Sequence, residues 1–549
     1  MIPRAWQFQQ RLVARAAQRR LPLLSVLVAA AAVAGASGGL VVWWWPFGPA
    51  IVAAGVLAAA VIAGLMLGVV TGRDLAVAGV VMAAVAVAGA VGLGIAAGSP
   101  AAIAAFAVVA LWFALARFLG PVEGAAVVIA GALPFYQTGW LSLTSGVGPL
   151  TIALGLIAGS LAWRSPRSLL VAVRSRRIAV LAVFVGLAVA SLVLVPRGSY
   201  SLILAKVYIG RALLMPALIF AAFAAMERSR AIRLLAAIRT LVVAVGAVGG
   251  VLSAVQVGAG VGYPQAWVPS VAQFVGERAI GFSDGAGTWA AFLLLALALA
   301  VAHWRRAPSL EYGVATAAIA LGIVLSGLRT AWVLLLLVAL AAALAPGTRR
   351  RLRVAIPVGV VAVVAGALVL PGFQTSLTGG RSLWSAVGSG HGRFGGDESA
   401  HTRLLLMRAE LKLGVRHPLT GVGLGNIGES LGELHESYKT ESGVRLLVPG
   451  VPIEKHNIFT GLFAELGIPG IAAFLVLLGT GALALGRALR RARDQPERAL
   501  VEGLVAAFVA TVLLGISVEV DTQVYLWWIL GTAFALERIV TAKREAEPR

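Results

Sequence analysis

The sequence predicts an all-α polytopic membrane protein. Of its 549 residues 60% are hydrophobic and only 12% charged, against roughly 25% charged in a soluble globular protein. Apolar runs of about 20 residues recur almost from end to end, each long enough to cross a bilayer as a helix. Lys and Arg gather in short clusters between those runs, the pattern expected of cytoplasmic loops.

The N-terminus carries Arg4, Arg11, Arg15, Arg19 and Arg20 before the first apolar run. That run outlasts a signal-peptide core and has no convincing cleavage site, so it reads as a retained first span. Spans then follow at 24–44, 49–71, 76–97, 101–118, 122–137, 148–163, 178–195, 202–225, 232–256, 287–304, 311–327, 330–346, 354–371, 456–487, 500–517 and 523–540, about fourteen to sixteen in all. Residues 1–120 add N-terminal spans rich in Ala, Gly and Val, whose small side chains suit close packing in lipid. Residues 121–371 form a transmembrane core, 372–455 a large outer loop, and 456–549 the last spans and a tail. The clusters Arg164 to Arg177, Arg228 to Arg239, Arg305–Arg306, Arg349 to Arg353 and Arg487 to Arg498 all fall on the side of the N-terminus. That side is expected to be the cytoplasm, with the tail residues Lys543 and Arg544 also inside.

Two outer loops stand out. One, 257–286, holds Trp267, Arg278 and Asp284. The other, 372–455, begins Gly/Ser-rich and is expected to be mobile there. From His401 onward, Leu404, Leu405, Met407, Leu411 and Leu413 predict an amphipathic helix ended by His417-Pro418, and a second helical stretch is expected from Ile427 to Tyr438. Trp527 and Trp528 are expected to anchor the last span at the membrane interface. The net charge of +22 follows from the loop clusters, with no basic domain that would imply nucleic acid. The chain has no cysteine, which excludes disulfides, thiolate metal sites and a cysteine nucleophile. No metal site and no cofactor are expected, since no Asp-x-Asp pair and no His/Asp cluster has ligand spacing.

The candidate chemistry lies in one histidine and several arginines. His456 begins an apolar helix directly after the long outer loop, at the membrane edge. An imidazole there can meet a lipid-anchored and a water-borne substrate, and its ordinary pKa near 6.5 suits a general base; a capping or packing role is the alternative. Arg329 occupies a very short turn between two apolar spans, where an arginine is either functional or snorkels to the interface. Arg211 lies inside the span 202–225 with Lys206 nearby, and needs a partner: an anionic ligand, or a distant carboxylate such as Glu519 or Asp521. Arg403 and Arg408 sit on the loop helix and Arg278 in the other loop. Arginine holds phosphate with two parallel hydrogen bonds, so Arg211, Arg278, Arg329 and Arg403 together suit a lipid-linked diphosphate whose charge no metal offsets.

His456-Asn457, nine residues, Gly467, two residues and Gly470 resembles the signature of the O-antigen ligase and O-antigen polymerase superfamily. Arg278 to Phe282 with Asp284, the turn Ser326 to Thr330, and Arg403 followed by Pro418-Leu419-Thr420-Gly421-Val422-Gly423-Leu424-Gly425-Asn426 resemble three further segments of that superfamily. The turn departs from its pattern by separating Ser326 from Arg329. The resemblance covers about residues 200–540. It implies a GT-C-like membrane glycosyltransferase, inverting and metal-independent, taking a polyprenyl-diphosphate-linked glycan as donor and a glycan or lipid-linked acceptor. His456 would then be the general base, Arg329 and Arg403 would hold the diphosphate, and Arg211 and Arg278 would assist. Gly421, Gly423 and Gly425 would let backbone approach phosphate or sugar closely, or make a plain turn. The alternatives are a flippase for lipid-linked oligosaccharide, which calls for two related halves around a central cavity, and a peptidoglycan-polymerase type of transferase, expected to use an acidic loop residue.

Overall fold

A computed structural model describes residues 108–135, 148–195, 199–258, 279–345, 398–434, 455–492 and 495–541, apart from single positions 110, 114, 118, 284 and 521, with isolated helical positions at 359, 361 and 363. The first three predicted spans, Arg278, Asp284, the Gly-rich start of the long loop and the C-terminal tail lie outside the described residues.

All regular structure among the described residues is helical. The helices are α1 (Pro121–Ala132), α2 (Pro149–Arg164), α3 (Pro166–Val173), α4 (Arg176–Leu194), α5 (Ser199–Val207), a π-helix (Tyr208–Leu214) running into α6 (Met215–Ala224), α7 (Arg228–Gly258), α8 (Ala286–Arg306), α9 (Leu310–Leu325), α10 (Arg329–Leu344), α11 (Glu398–Arg416), α12 (Ile427–Ser430), α13 (Ile458–Arg491), α14 (Gln495–Leu514) and α15 (Val524–Thr541). Proline opens α1, α2 and α3, where its missing N–H costs nothing. Ser309 caps α9 by accepting from Tyr312 N.

Six described helices are long and apolar enough to cross a membrane: α4, the run Ser201–Ala224, α7, α8, α13 and α15. Apolar helices of 10–17 residues stand where spans 122–137, 148–163, 311–327 and 330–346 are predicted. Burial divides the helices into two kinds. In their most apolar windows α8 is 83% and α15 89% buried, whereas α4 is 33% and α13 39% buried. The first pair forms the centre of the bundle and the second its rim. The rim exposes Val193, Leu194, Leu202, Ile203, Val333, Leu336, Leu340, Leu475, Val476 and Leu483, large apolar residues that a protein surrounded by water would cover. Lipid is the solvent this surface fits.

Small residues let the centre close. A Cβ on Gly250 of α7 would stand 2.0 Å from the carbonyl oxygen of Ala318 in α9, and one on Gly322 would stand 2.9 Å from the Cα of Gly250. Helix–helix approach in lipid depends on such positions.

Trp527 and Trp528 do not anchor at an interface. Trp527 is fully buried and Trp528 nearly so, and Trp527 stacks on Phe184 of α4 at 6.0 Å. α15 is a central helix, so its aromatic residues fill the core.

Charge is sorted by bundle end. At one end, Arg177 and Arg487 meet Glu537, Arg305 and Arg306 meet Glu502, Arg228 meets Glu497 at 2.6 Å and Arg230 meets Glu123 at 2.8 Å. Following each helix to its other terminus leads to the opposite end, where the turn at 326–328, the segment 455–457 and the connection 515–523 lie.

Candidate functional site

α13 explains the local architecture. It starts at Asn457, whose side chain accepts from Phe459 N at 2.9 Å and Thr460 N at 3.2 Å, a regular N-cap. The predicted span is continuous here, but the helix breaks at Gly467, with φ 64 and ψ −163. The break takes the Ile468 N–H away from Ala464, and Pro469 has no N–H to give Glu465. Two orphaned carbonyls inside a bundle require donors. The segment after α11 supplies them: Val422 N donates to Ala464 O at 2.8 Å and Gly423 N to Glu465 O at 2.9 Å, while Ile468 N turns to Pro418 O at 2.7 Å.

The glycines of this segment are therefore structural. Gly421, Gly423 and Gly425 all have positive φ, and a Cβ on Gly421 would sit 2.2 Å from the backbone of Glu465. What their backbone approaches in the structure is the broken helix. Asn426 completes the loop, donating to Val422 O at 3.0 Å and accepting from Ser201 Oγ at 2.8 Å.

α11 ends before Pro418 as predicted, and docks on α13 through Thr460, whose hydroxyl donates to the buried carboxylate of Glu410. Its buried side is Leu406, Ala409 and Leu413, packed with Val422, Ile427 and Ala464. Its other side exposes Leu404, Leu411 and Val415. The second helical stretch of the loop is only Ile427–Ser430 followed by a 3-10 turn, Leu431–Leu434; positions 435–438 lie outside the described residues.

His456 precedes the first turn of α13, outside the membrane-spanning segment, and is partly buried. Burial and, second, the positive charge of Arg403 push its pKa below the ordinary imidazole value. The second cause places Arg403 within electrostatic reach of the ring. A base whose protonation is disfavoured stays neutral to lower pH. In the transfer reaction proposed below, the acid limb of log(kcat/KM) is therefore expected below the pH of a free histidine. Arg403→Gln removes one of the two causes, so the limb should move to higher pH. A limb that moves down or stays fixed in that variant contradicts the assignment.

The connection 515–523 gathers the other candidates. Gly515 O accepts from Ile458 N at 2.8 Å. Ser517 donates to Thr330, the neighbour of Arg329, at 2.7 Å. Arg211 Nη1 donates to Thr522 O at 2.7 Å, so a backbone carbonyl of this connection is one of its partners. Arg211 lies in the π-helix, which sequence periodicity does not foresee and which recurs at functional sites. Arg329 opens α10 with an exposed side chain, after a turn in which Gly327 has φ 68. Arg278 is outside the described residues; its neighbour Ala279 donates to Leu325 O at 2.9 Å, beside that turn. His456, Arg403, Arg211 and Arg329 thus occupy one end of the bundle, away from the paired basic clusters.

Sequence reasoning missed Lys455, Glu465 and Tyr208, and named Glu519 only as a carboxylate for Arg211. The Lys455 ammonium, 1% exposed, lies 2.7 Å from Glu465 and 3.7 Å from Glu519, and donates to Tyr208 OH at 3.3 Å. Glu465 Oε1 also accepts from Gly425 N at 2.9 Å. The signal was the adjacency of a lysine to His456 and of a glutamate to the Gly467 break. Among the described residues, no group of three or more His, Asp or Glu side chains is placed to hold a metal ion. A groove of about 500 Å³ lies between the ends of α8 and α9, lined by Trp304, Leu310, Gly313 and Val314 among others, and shares no residue with the candidate set.

These features define a multi-pass helical membrane protein with a polar site at one end of the bundle. Residues 313–475 match the family model for O-antigen ligase. That stretch, less than a third of the chain, is thus similar to the O-antigen ligase family, whose members are membrane enzymes that transfer glycans. The matched stretch contains Arg329, Arg403, the glycine loop, His456 and Gly467, while Arg211 and Arg278 precede it. No curated protein matches the chain.

Proposed function

We propose that this protein transfers or polymerises a polyprenyl-diphosphate-linked glycan onto an acceptor hydroxyl at the outer face of a cytoplasmic membrane, in one inverting displacement without a metal or cofactor. His456 takes the proton from the acceptor hydroxyl as that oxygen attacks the anomeric carbon. The bond from that carbon to the diphosphate breaks on the opposite side, and the leaving group carries its electron pair away. Arg329 and Arg403 bind the diphosphate and stabilise the charge it gains, with Arg211 and Arg278 as secondary contacts.

The observation that carries this reading is the docking of α11, the helix of Arg403, on the first turn of α13 through Glu410 and Thr460, directly after His456. The reaction needs a neutral base and a cation within one substrate's reach; burial and, second, the charge of Arg403 hold the imidazole below its ordinary pKa, which favours the neutral base. The family match supports the donor class. The exposed apolar side of α11, with Leu419 and Ile468 beside it, fits a site at a lipid boundary, where a lipid-carried diphosphate resides.

The test is transfer by the purified protein in vesicles, given a lipid-diphosphate glycan and candidate acceptors, with products read by mass spectrometry. A new glycosidic bond and released polyprenyl diphosphate are expected. Donor moved across the bilayer with no such bond would replace this reading by a flippase. Excess EDTA is expected to leave the rate within about twofold, because arginines supply the charge stabilisation. A rate abolished by EDTA and restored by a divalent cation would overturn the metal-free reading.

A further inference from the structure

Lys455 and Glu465 occupy a place that neither packing nor lipid solvation explains. Removing charges from water is costly, and an apolar pair of similar volume often stabilises as well or better. Yet both side chains are almost fully buried, and each binds in more than one direction. The Lys455 ammonium reaches Glu465 at 2.7 Å, Glu519 at 3.7 Å and the Tyr208 hydroxyl at 3.3 Å. The Glu465 carboxylate holds Lys455 with Oε2 and the backbone N–H of Gly425 with Oε1.

These contacts join segments that are far apart in sequence. Tyr208 opens the π-helix that carries Arg211. Glu519 belongs to the connection whose Thr522 carbonyl accepts from Arg211. Gly425 lies in the loop that follows the helix of Arg403. Lys455 itself is covalently next to His456. The lysine stem is also gripped: a Cβ on Gly461 would stand 2.6 Å from its Cδ, so only glycine leaves room for this side chain.

We infer that the Lys455–Glu465 pair is a positioning device that fixes the His456 ring relative to the diphosphate-binding arginines. Lys455 is held by its charged end and His456 is the next residue, so tension on the one sets the backbone of the other. Glu465 relays the position of the glycine loop to the same ammonium. Both side chains are almost fully buried, so the pair acts on the site through its neighbours. The inference rests on the proposed role of His456, so its test includes a measurement that needs no turnover.

The experiment compares wild type, Glu465→Gln, Lys455→Met and the exchanged pair Lys455→Glu with Glu465→Lys, each in vesicles after membrane insertion is verified. The first readout is acylation of His456 by diethyl pyrocarbonate, followed by mass spectrometry. The single variants are expected to change its rate at least fivefold, and the exchanged pair to return towards wild type. The second readout is transfer kinetics. The single variants should lower kcat tenfold or more, with donor KM changed less than threefold, because the donor's arginines remain. Unchanged His456 reactivity in both single variants overturns the inference. So does a loss of activity expressed wholly in KM. If the reactivity changes while His456→Ala retains full transfer, the positioning role stands and the base assignment falls.

Discussion

Replacing His456 by alanine is expected to lower kcat for glycan transfer by about 10²–10⁴-fold, the usual contribution of a positioned general base. Membrane insertion and thermal stability should be nearly unchanged, because the ring lies outside the membrane-spanning segment and only partly within the packed interior. The capping of α13 belongs to Asn457, which holds Phe459 N and Thr460 N whether or not residue 456 bears a ring. A cap role for the imidazole would predict the reverse pattern, a fall in melting temperature with kcat preserved. Donor affinity should also survive, since the arginines are untouched. Measuring kcat, donor KM and the melting temperature on the same preparation separates these outcomes. Transfer within threefold of wild type would remove His456 from the chemistry.

The second large effect concerns the joint between α11 and the broken helix. Gly421→Val is expected to destabilise the protein by about 3–5 kcal/mol, the range reached when strain and overpacking coincide. Residue 421 has φ +63, which a β-branched residue adopts only at a cost. Its Cβ would stand 2.2 Å from the carbonyl carbon and oxygen of Glu465, which are backbone atoms with no rotamer to yield. Moving the loop to relieve the clash would break the bonds from Val422 N to Ala464 O and from Gly423 N to Glu465 O. It would also pull Gly425 N from the Glu465 carboxylate, so activity should fall with stability. Gly479→Ala, in the same helix beyond the break, is the control. Nothing lies within 4 Å of its added Cβ, and alanine there should be neutral or raise stability by up to about 1 kcal/mol. Melting in detergent, followed by intrinsic fluorescence, distinguishes the two. Equal melting temperatures for the two variants would show that the glycine loop is not the joint described.

Much of this was legible in the chain itself. Long apolar runs broken by arginine clusters can satisfy their backbone in lipid only as helices, so the all-helical membrane class and the six described spanning helices followed from composition and spacing. The loop helix around His401 and the helix start after His456 were legible too, because a polar motif next to an apolar run marks a boundary. Three things were decided by tertiary structure. Trp527 and Trp528 look like interface residues by position, yet α15 is surrounded by protein, and burial on all sides is a property of neighbours. The glycine loop looks like a ligand cradle by composition, yet its carbonyl partners arise from a break in a helix some forty residues later, at Gly467 and Pro469. Lys455 and Glu465 carry only the weak local signal of lying next to His456 and the Gly467 break, and Tyr208 carries none, since a buried charge is made tolerable only by partners that folding brings from distant segments. Periodicity reports which face of a helix is apolar; it is silent on which helix that face meets, and the site is built from those meetings.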